Sequence, residues 1–469
     1  MAHFVDKDAL KDAFSMFGED SDEEEVILSS NATEKTPGAS SGQNGDSLNN
    51  DRIVTEEKVE DSNQVLTECP DFPLNSNYPS CLEYWASHQA NHVGPITFEE
   101  GLLDIGGSRG FVASKGISPG TLLLSETPYL KWPDVEFDNE QSKVISFMRN
   151  LLAEDCNQEE HLLYLSHLTP TTISEARVEM VEAAKESYGD QISLLLEDFS
   201  HLNLTYESLL LLFLRIQCNG FSSGVYLHLC IFNHSCKPNC IKLSSLDGKS
   251  SEVWATESIK KGEPLTICYL VPREQSHQTR KTALLQQFGF DCRCMLCKPE
   301  PELSIPCYDE EKQAQVNEIL CSIQNLEGVA EQSQNFQECL LAGCEYLADA
   351  EDLFNGTDRF LLVRILKVIV SSAHEICQSS QRNRKITENA MIYLKSAFRL
   401  RDIQTEYLSE QHPDFATTFN DISMAIQLLI ANAPELLYSE FDEINSFRKA
   451  SKAEYDYRNH YEKIKILYT

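Results

Sequence analysis

The chain has 469 residues, and its 39 basic and 73 acidic side chains leave a net charge of −34. That balance excludes a free-standing DNA or RNA binder, which needs a basic footprint, and it suits either a basic protein partner or simple solubility. Apolar residues make up 42% of the chain, enough for a sizeable core, and the length fits two or three domains. The sequence holds no run of about 18 apolar residues of the kind that spans a bilayer; the longest candidate, 209–214, reads as a short buried segment. The opening MAHFVDKDAL is charged and lacks an apolar signal core, so a non-secreted setting with reduced thiols is expected.

Residues 1–65 carry 16 acidic and 5 basic residues and are rich in Ser, Asn, Gly and Glu. They read as a disordered acidic tail. Within it Val5, Ala9, Leu10, Ala13, Phe14 and Phe17 fall at helical spacing, either as a nascent helix or as one that docks in a partner's groove. Ser21 lies in an acidic run suited to phosphorylation. Residues 97–130 read as short strands, with a turn at Pro119-Gly120 and a strand over 121–125. Over 139–217 the period turns helical, through Val144, Ile145, Met148, Leu151 and Leu152, and through Leu194, Leu195, Leu196 and Phe199. The strand signal returns between Gly224 and Tyr269, at 225–227, 253–255 and 265–269. After Pro299 the pattern is helical to the end, as expected of paired helices stacked in an array, with Lys298-Pro299-Glu300-Pro301 as the boundary. The short basic run at 382–385 reads as a loop between helices.

The chemistry concentrates in two clusters. Nine of the 16 cysteines lie between Cys218 and Cys307, and in a reducing setting clustered cysteines point to metal. Cys292, Cys294 and Cys297 form a CxCxxC motif. Three thiolates on one tight turn can sit about 2.3 Å from a single Zn²⁺, which in a structural site takes a fourth ligand. The candidates are Cys236, Cys240 and Cys268; a fourth thiolate from Cys236 would staple this segment onto the other cluster. That cluster is Asn233-His234-Ser235-Cys236-Lys237-Pro238-Asn239-Cys240, a loop because Pro238 holds Lys237 out of the helical region. Between the two runs Lys261-Gly262-Glu263-Pro264-Leu265-Thr266-Ile267-Cys268-Tyr269.

These motifs, in this order, resemble the SET-domain protein lysine methyltransferases. Gly107-Ser108-Arg109-Gly110-Phe111-Val112-Ala113 looks like the N-terminal glycine-rich motif, Asn233 to Asn239 like the signature loop, Gly262 to Tyr269 like the strand that ends in the catalytic tyrosine, and the CxCxxC like the post-SET zinc motif. A split SET region with a compact CxCxxC and a helical end is similar to the SET-and-MYND (SMYD) branch, as are Arg215-Ile216-Gln217-Cys218-Asn219-Gly220-Phe221 and Gln411-His412-Pro413-Asp414-Phe415-Ala416. The implied fold is α+β. A β-rich SET domain of small curled sheets with a pseudoknot is split by a helical insert, followed by a zinc-bound post-SET segment and an all-α tetratricopeptide-like domain. The implied divisions are the tail 1–65, SET portions at 66–134 and 206–275, the insert 135–205, the post-SET segment 276–300 and the helical domain 301–469. One departure is large. Residues 131–205 hold only Cys156, His161, His167 and His201, so the MYND zinc module is missing, and with it the expected binding of proline-rich peptides.

The resemblance implies an S-adenosylmethionine-dependent protein-lysine N-methyltransferase acting on a histone or a non-histone protein. Tyr269 would be catalytic. Ser108, Arg109, Gly110, Asn219, Asn233, His234, Tyr269 and Phe290 would contact the methyl donor, with Phe290 stacked on its adenine. Phe288 and Phe221 would line the substrate channel, and Cys236, Cys292, Cys294 and Cys297 would hold one structural Zn²⁺. Phe288 stands where the branch usually has tyrosine, and the missing hydroxyl frees space or a water position beside the amine. The alternative is a catalytically inactive SET scaffold for protein–protein interaction; the presence of Tyr269, Asn233 and His234 favours the enzyme. Expected partners are a protein presenting a lysine, and proteins bound by the C-terminal helices and the acidic tail, with no direct nucleic acid and no membrane. The expected location is cytoplasmic, nuclear or both.

Overall fold

The computed structural model describes residues 90–102, 108–133, 140–153, 158–245, 248–270, 273–298, 310–332, 335–354, 356–379 and 384–468. The acidic tail, the helix expected over Val5 to Phe17, Cys156 and the boundary at Pro299 to Pro301 lie outside them.

The first described strands are β1 (His92–Val93), β2 (Ile96–Leu102), β3 (Ser108–Ala113), β4 (Leu122–Glu126) and β5 (Leu130–Lys131). Four helices follow: α1 (Glu140–Ala153), α2 (Gln158–Ser166), α3 (Val178–Asp198) and α4 (Tyr206–Asn219). The strands then resume as β6 (Gly220–Phe221), β7 (Gly224–Val225), β8 (Asn233–His234), β9 (Cys240–Ser244), β10 (Ser251–Ala255) and β11 (Thr266–Ile267). They form small separate sheets: an antiparallel sheet ordered β1-β4-β10-β9, a β2-β3 pair, a three-stranded β5-β7-β6 sheet, and a parallel pair of β11 with β8. β10 alternates as a half-buried strand should, with Ser251, Val253 and Ala255 inward.

Two runs expected as strands shorten. Of the first, 225–227, only Val225 lies in a strand, Gly224–Val225; the Tyr226 hydroxyl meets those of Ser223 and Ser251. Only Thr266–Ile267 of the second is strand, because the backbone N–H of Tyr269 turns away to His234.

α4 explains the 209–214 run. Thr205 and Ser208 form a reciprocal capping box at its start. Every residue from Leu209 to Ile216 is buried, as a helix apolar on all sides must be. The helices α1–α4 and the strands β3, β4, β7 and β10 share one continuous core. Arg109 on β3 donates to the carbonyl of His167, and Arg215 on α4 to those of Pro170 and Thr171, so two guanidinium groups tie the 167–171 segment to β3 and α4.

α5 (His277–Phe288) leads to the CxCxxC turn. Seven more helices follow: α6 (Glu310–Gln332), α7 (Phe336–Leu353), α8 (Leu362–Ser379), α9 (Arg384–Tyr407), α10 (Pro413–Asn432), α11 (Pro434–Glu440) and α12 (Phe447–Leu467). Chain neighbours pack from α6 through α11, and α12 returns onto α10. Their own core centres on residues such as Leu366, Tyr393, Leu394 and Ile426. Arg384 and Lys385 open α9 rather than lying in a loop.

The two cores meet through polar contacts. Lys367 pairs with buried Glu274 at 2.9 Å, and the Tyr407 hydroxyl donates to the same carboxylate. Lys237 donates to the carbonyl of Glu406, and the Ser409 hydroxyl to that of Thr256 at 2.8 Å. The helical region is thereby tied directly to the loop that carries Asn233 and His234.

Candidate active site and thiolate cluster

The parallel pairing of β11 with β8 sets Thr266 beside Asn233 and Ile267 beside His234. Asn239 locks it: its Oδ1 accepts from the Thr266 N–H at 2.9 Å, and its Nδ2 donates to the Pro264 carbonyl at 2.9 Å. The chain from 264 to 269 therefore threads beside the 233–239 loop.

This threading delivers Tyr269 to a defined place. Its hydroxyl donates to the Phe232 carbonyl at 2.5 Å. The ring meets those of Phe288 at 5.0 Å, His234 at 5.2 Å and Phe290 at 6.3 Å. Burial raises the phenol above its ordinary pKa, with smaller contributions from Cys230 and Cys218. Burial likewise pushes both of those thiols up to about 12, so they stay protonated and unreactive.

His234 joins this tyrosine to the cysteines. Its Nδ1 accepts from the Tyr269 N–H at 3.0 Å. In the neutral ring the proton is then on Nε2, which lies 3.3 Å from the Cys236 sulfur. Cys236, Cys292, Cys294 and Cys297 place their sulfurs within 4.8 Å of one another. The Cys236 sulfur is 3.5 Å from that of Cys297 and 4.0 Å from that of Cys292. Tetrahedral bonds of about 2.3 Å require sulfurs about 3.8 Å apart, so the four fit one zinc ion. Contact with Cys236 lowers the pKa of the Cys294 thiol. Of the other candidates for a fourth ligand, Cys240 turns its thiol to Asn239 Oδ1 and Cys268 to the Leu270 carbonyl. The twelve described cysteines are all free thiols.

A glycine completes the neighbourhood. Asn233 Nδ2 donates to the Arg109 carbonyl at 2.8 Å, and a Cβ on Gly110 would lie 2.1 Å from that nitrogen. β3 thus presents bare backbone to the 233–234 segment, with Ser108 opposite Leu102 at its start. In kind, the residues present suit a methyl donor: backbone without a Cβ at Gly110, and an aromatic ring at Phe290 beside His234 and Tyr269.

Three expected contact residues point elsewhere, at least in part. The Arg109 guanidinium reaches the His167 carbonyl and the Thr169 hydroxyl, leaving its backbone to face Asn233. Asn219 spends both amide protons on the carbonyls of Thr169 and Arg215, so only its Oδ1 remains for a ligand. Phe221 lies in the three-stranded sheet, its ring edge-on to Tyr226 at 5.6 Å. Among the described residues it makes no ring contact with Tyr269. Lys242 stands 5.7 Å over the Phe221 ring, and burial lowers its pKa to about 8.

Sequence reasoning missed Glu126. It is 4% exposed and accepts from the backbone N–H groups of Leu227, His228 and Leu229. It also faces His228 Nδ1 at 3.0 Å, and so fixes the approach to the Asn233 loop. Its only signal in the sequence is an acid ending an apolar strand. Arg273, Glu274 and Arg280 were missed as well, because their partners lie far along the chain.

The SET domain family model matches residues 108–270. A SET domain-containing protein of Acanthamoeba polyphaga mimivirus is 28% identical over 194 residues, covering 40% of this chain and 72% of that protein. Histone-lysine N-methyltransferase SMYD3 of Mus musculus is 31% identical over 142 residues, 28% of this chain and 32% of that one. N-lysine methyltransferase SMYD2 of Homo sapiens is 33% identical over 104 residues, 19% and 23% of the two chains. The match thus spans a third or less of those two methyltransferases. Residues 108–270 thus match the SET domain model, and SMYD methyltransferases are among the proteins to which the chain is similar. Among the described residues no helix is long and apolar enough to cross a membrane.

Proposed function

We propose that this chain is an S-adenosylmethionine-dependent N-methyltransferase acting on a lysine of a histone or another protein. The observation that carries the reading is the setting of Tyr269, whose hydroxyl is pinned by the Phe232 carbonyl where β11 threads past Asn233 and His234. When bound, the donor supplies an electrophilic methyl on a sulfonium, to be displaced in line by a neutral lysine amine. The chain's part in such a reaction is positioning.

Tyr269 Oη gives its proton to Phe232, so its lone pairs remain to orient the amine and the methyl. Burial keeps the phenol neutral, which suits it to orient rather than to remove a proton. The backbone of Ser108, Arg109 and Gly110, together with Asn233 and His234, would line the donor's methionine end. Asn219 Oδ1 would accept from the donor's ammonium, and Phe290 would stack on its adenine. The ring contact between Phe288 and Tyr269 supports a place for Phe288 beside the amine. Phe221 would line the channel from a separate sheet.

Cys236, Cys292, Cys294 and Cys297 would hold one structural Zn²⁺. It would order the segment that carries Phe290, because Cys292 follows two residues later. The C-terminal helices, which we read as tetratricopeptide-like, and the acidic tail would bind protein partners, in the cytoplasm or the nucleus.

The test is calorimetric titration of the zinc-replete chain with S-adenosylmethionine, with wild type and Tyr269→Phe compared for methyl transfer to lysate proteins. Binding with transfer that disappears in the variant is expected. A folded, zinc-loaded chain that binds no donor refutes the enzyme and leaves the scaffold.

A further inference from the structure

Arg280 is an anomaly of the fold. It lies on α5, one turn in from the start, and is 2% exposed. One of its nitrogens, Nη1, donates to the Gln275 carbonyl at 2.6 Å. Among the described residues the other two, Nε and Nη2, are buried and meet no oxygen or nitrogen acceptor. A buried guanidinium with two idle donors is expensive, and no described carboxylate pairs with it. Glu274, the nearest buried acid in sequence, is already paired with Lys367. Arg280 stacks 5.7 Å over the Phe360 ring, and the two line one small cleft with Cys236, Glu274 and Leu296. The thiolates of Cys236 and Cys297 act on the guanidinium charge.

Electrostatics gives those donors a purpose. One Zn²⁺ held by four thiolates carries two negative charges in excess, in a half-buried site of a chain that is itself strongly acidic. Thiolate sulfur is a hydrogen-bond acceptor that becomes strong only when charged. We propose that Arg280 is a positioning residue for the zinc centre: its Nε and Nη2 donate to the thiolates of Cys236 and Cys297, offset the excess charge, and hold Cys236 in ligating geometry. Cys236 then receives donors from two directions, Arg280 and His234 Nε2. Because Phe360 belongs to the C-terminal helical region, the same guanidinium ties that region to the metal site. This inference rests on the reading that the four cysteines bind zinc.

The test measures metal on the full chain. Wild type, Arg280→Gln, Arg280→Lys and Phe360→Leu are loaded with zinc, and release to a chromogenic chelator is timed. Each is then reloaded with Co²⁺ and its thiolate-to-metal charge-transfer band recorded. Removal of a group that supports metal ligands weakens metal binding by about 10- to 100-fold. Arg280→Gln should therefore lose zinc that much faster and shift the cobalt band, with Arg280→Lys intermediate. Phe360→Leu, which keeps the guanidinium, should leave both readouts near wild type even if it melts lower. Wild-type zinc retention and an unshifted cobalt band in a folded Arg280→Gln overturn the assignment of Arg280 alone. Should Arg280→Gln fail to fold, a wild-type release rate and band in Arg280→Lys overturn it equally. A wild-type chain that takes up no zinc overturns the zinc reading itself, and this proposal with it.

Discussion

Substituting Gly110 by alanine tests the site at its most crowded point. The new Cβ would lie 2.1 Å from Asn233 Nδ2 and 3.1 Å from Leu102 Cδ1, where ordinary heavy-atom contacts are about 3.5–4.0 Å. Leu102 need give only a few tenths of an ångström. The Asn233 amide must retreat by more than about 1 Å, and it is the end of a side chain, so it can. What it loses is its 2.8 Å bond to the Arg109 carbonyl. Leaving a part-buried donor and acceptor unsatisfied costs about 1–3 kcal/mol. Alanine regains about 0.5–1 kcal/mol by restricting the unfolded chain. The net expectation is a loss of about 1–2 kcal/mol, read as a melting point lower by about 2–8 °C. Donor binding should suffer more, by at least about tenfold or 1.4 kcal/mol, because Asn233 is displaced into the proposed binding edge. The assay is thermal unfolding and calorimetric titration of the full chain. Gly116→Ala is the control, since a Cβ there meets nothing within 4 Å. If Gly110→Ala melts like the control and binds S-adenosylmethionine like wild type, the argument from close approach is wrong.

Three further outcomes are expected. Stripping zinc with a chelator should lower the melting point by the linkage energy, about 4 kcal/mol where free zinc had stood at about 1,000 times its Kd, and should weaken donor binding through Phe290; an unchanged melting curve after proven metal loss contradicts this. Phe288→Tyr restores a hydroxyl beside Tyr269 and should lower the proportion of multiply methylated product measured by mass spectrometry; an unaltered distribution places Phe288 away from the amine. Asp421, which accepts from the Tyr393 hydroxyl at 2.6 Å, has its pKa raised by burial from 3.8 to about 7. The folded form keeps a proton that the unfolded chain has released, so stability is full below about pH 4 and declines as pH rises through about 7. Asp421→Asn should flatten that decline in denaturant titrations, and an equally steep decline in the variant counts against the raised pKa.

The limits of the sequence follow from where each contact's partner lies. The β-rich region, its helical interruption and the helical end were legible because hydrophobic period is a local property. So were the two chemical clusters, since Cys292, Cys294 and Cys297 lie within six residues and Asn233 to Cys240 are contiguous. Local pattern also explains why the strands at 225–227 and 265–269 were read too long. Each run has strand composition throughout, but Tyr226 and Tyr269 lie outside the strands and bond over long range to Ser251 and His234. What only the tertiary structure decided is a set of pairings across long stretches of chain. Cys236, rather than Cys240 or Cys268, lies with the CxCxxC sulfurs. Asn219 turns both amide protons to carbonyls, Glu126 gathers three N–H groups some hundred residues away, and Arg280 is buried against Phe360. Residue type and spacing specify which chemistry a segment is able to perform. Only the threading of β11 beside β8, a parallel pairing with no local sequence signature, determines which of those groups meet.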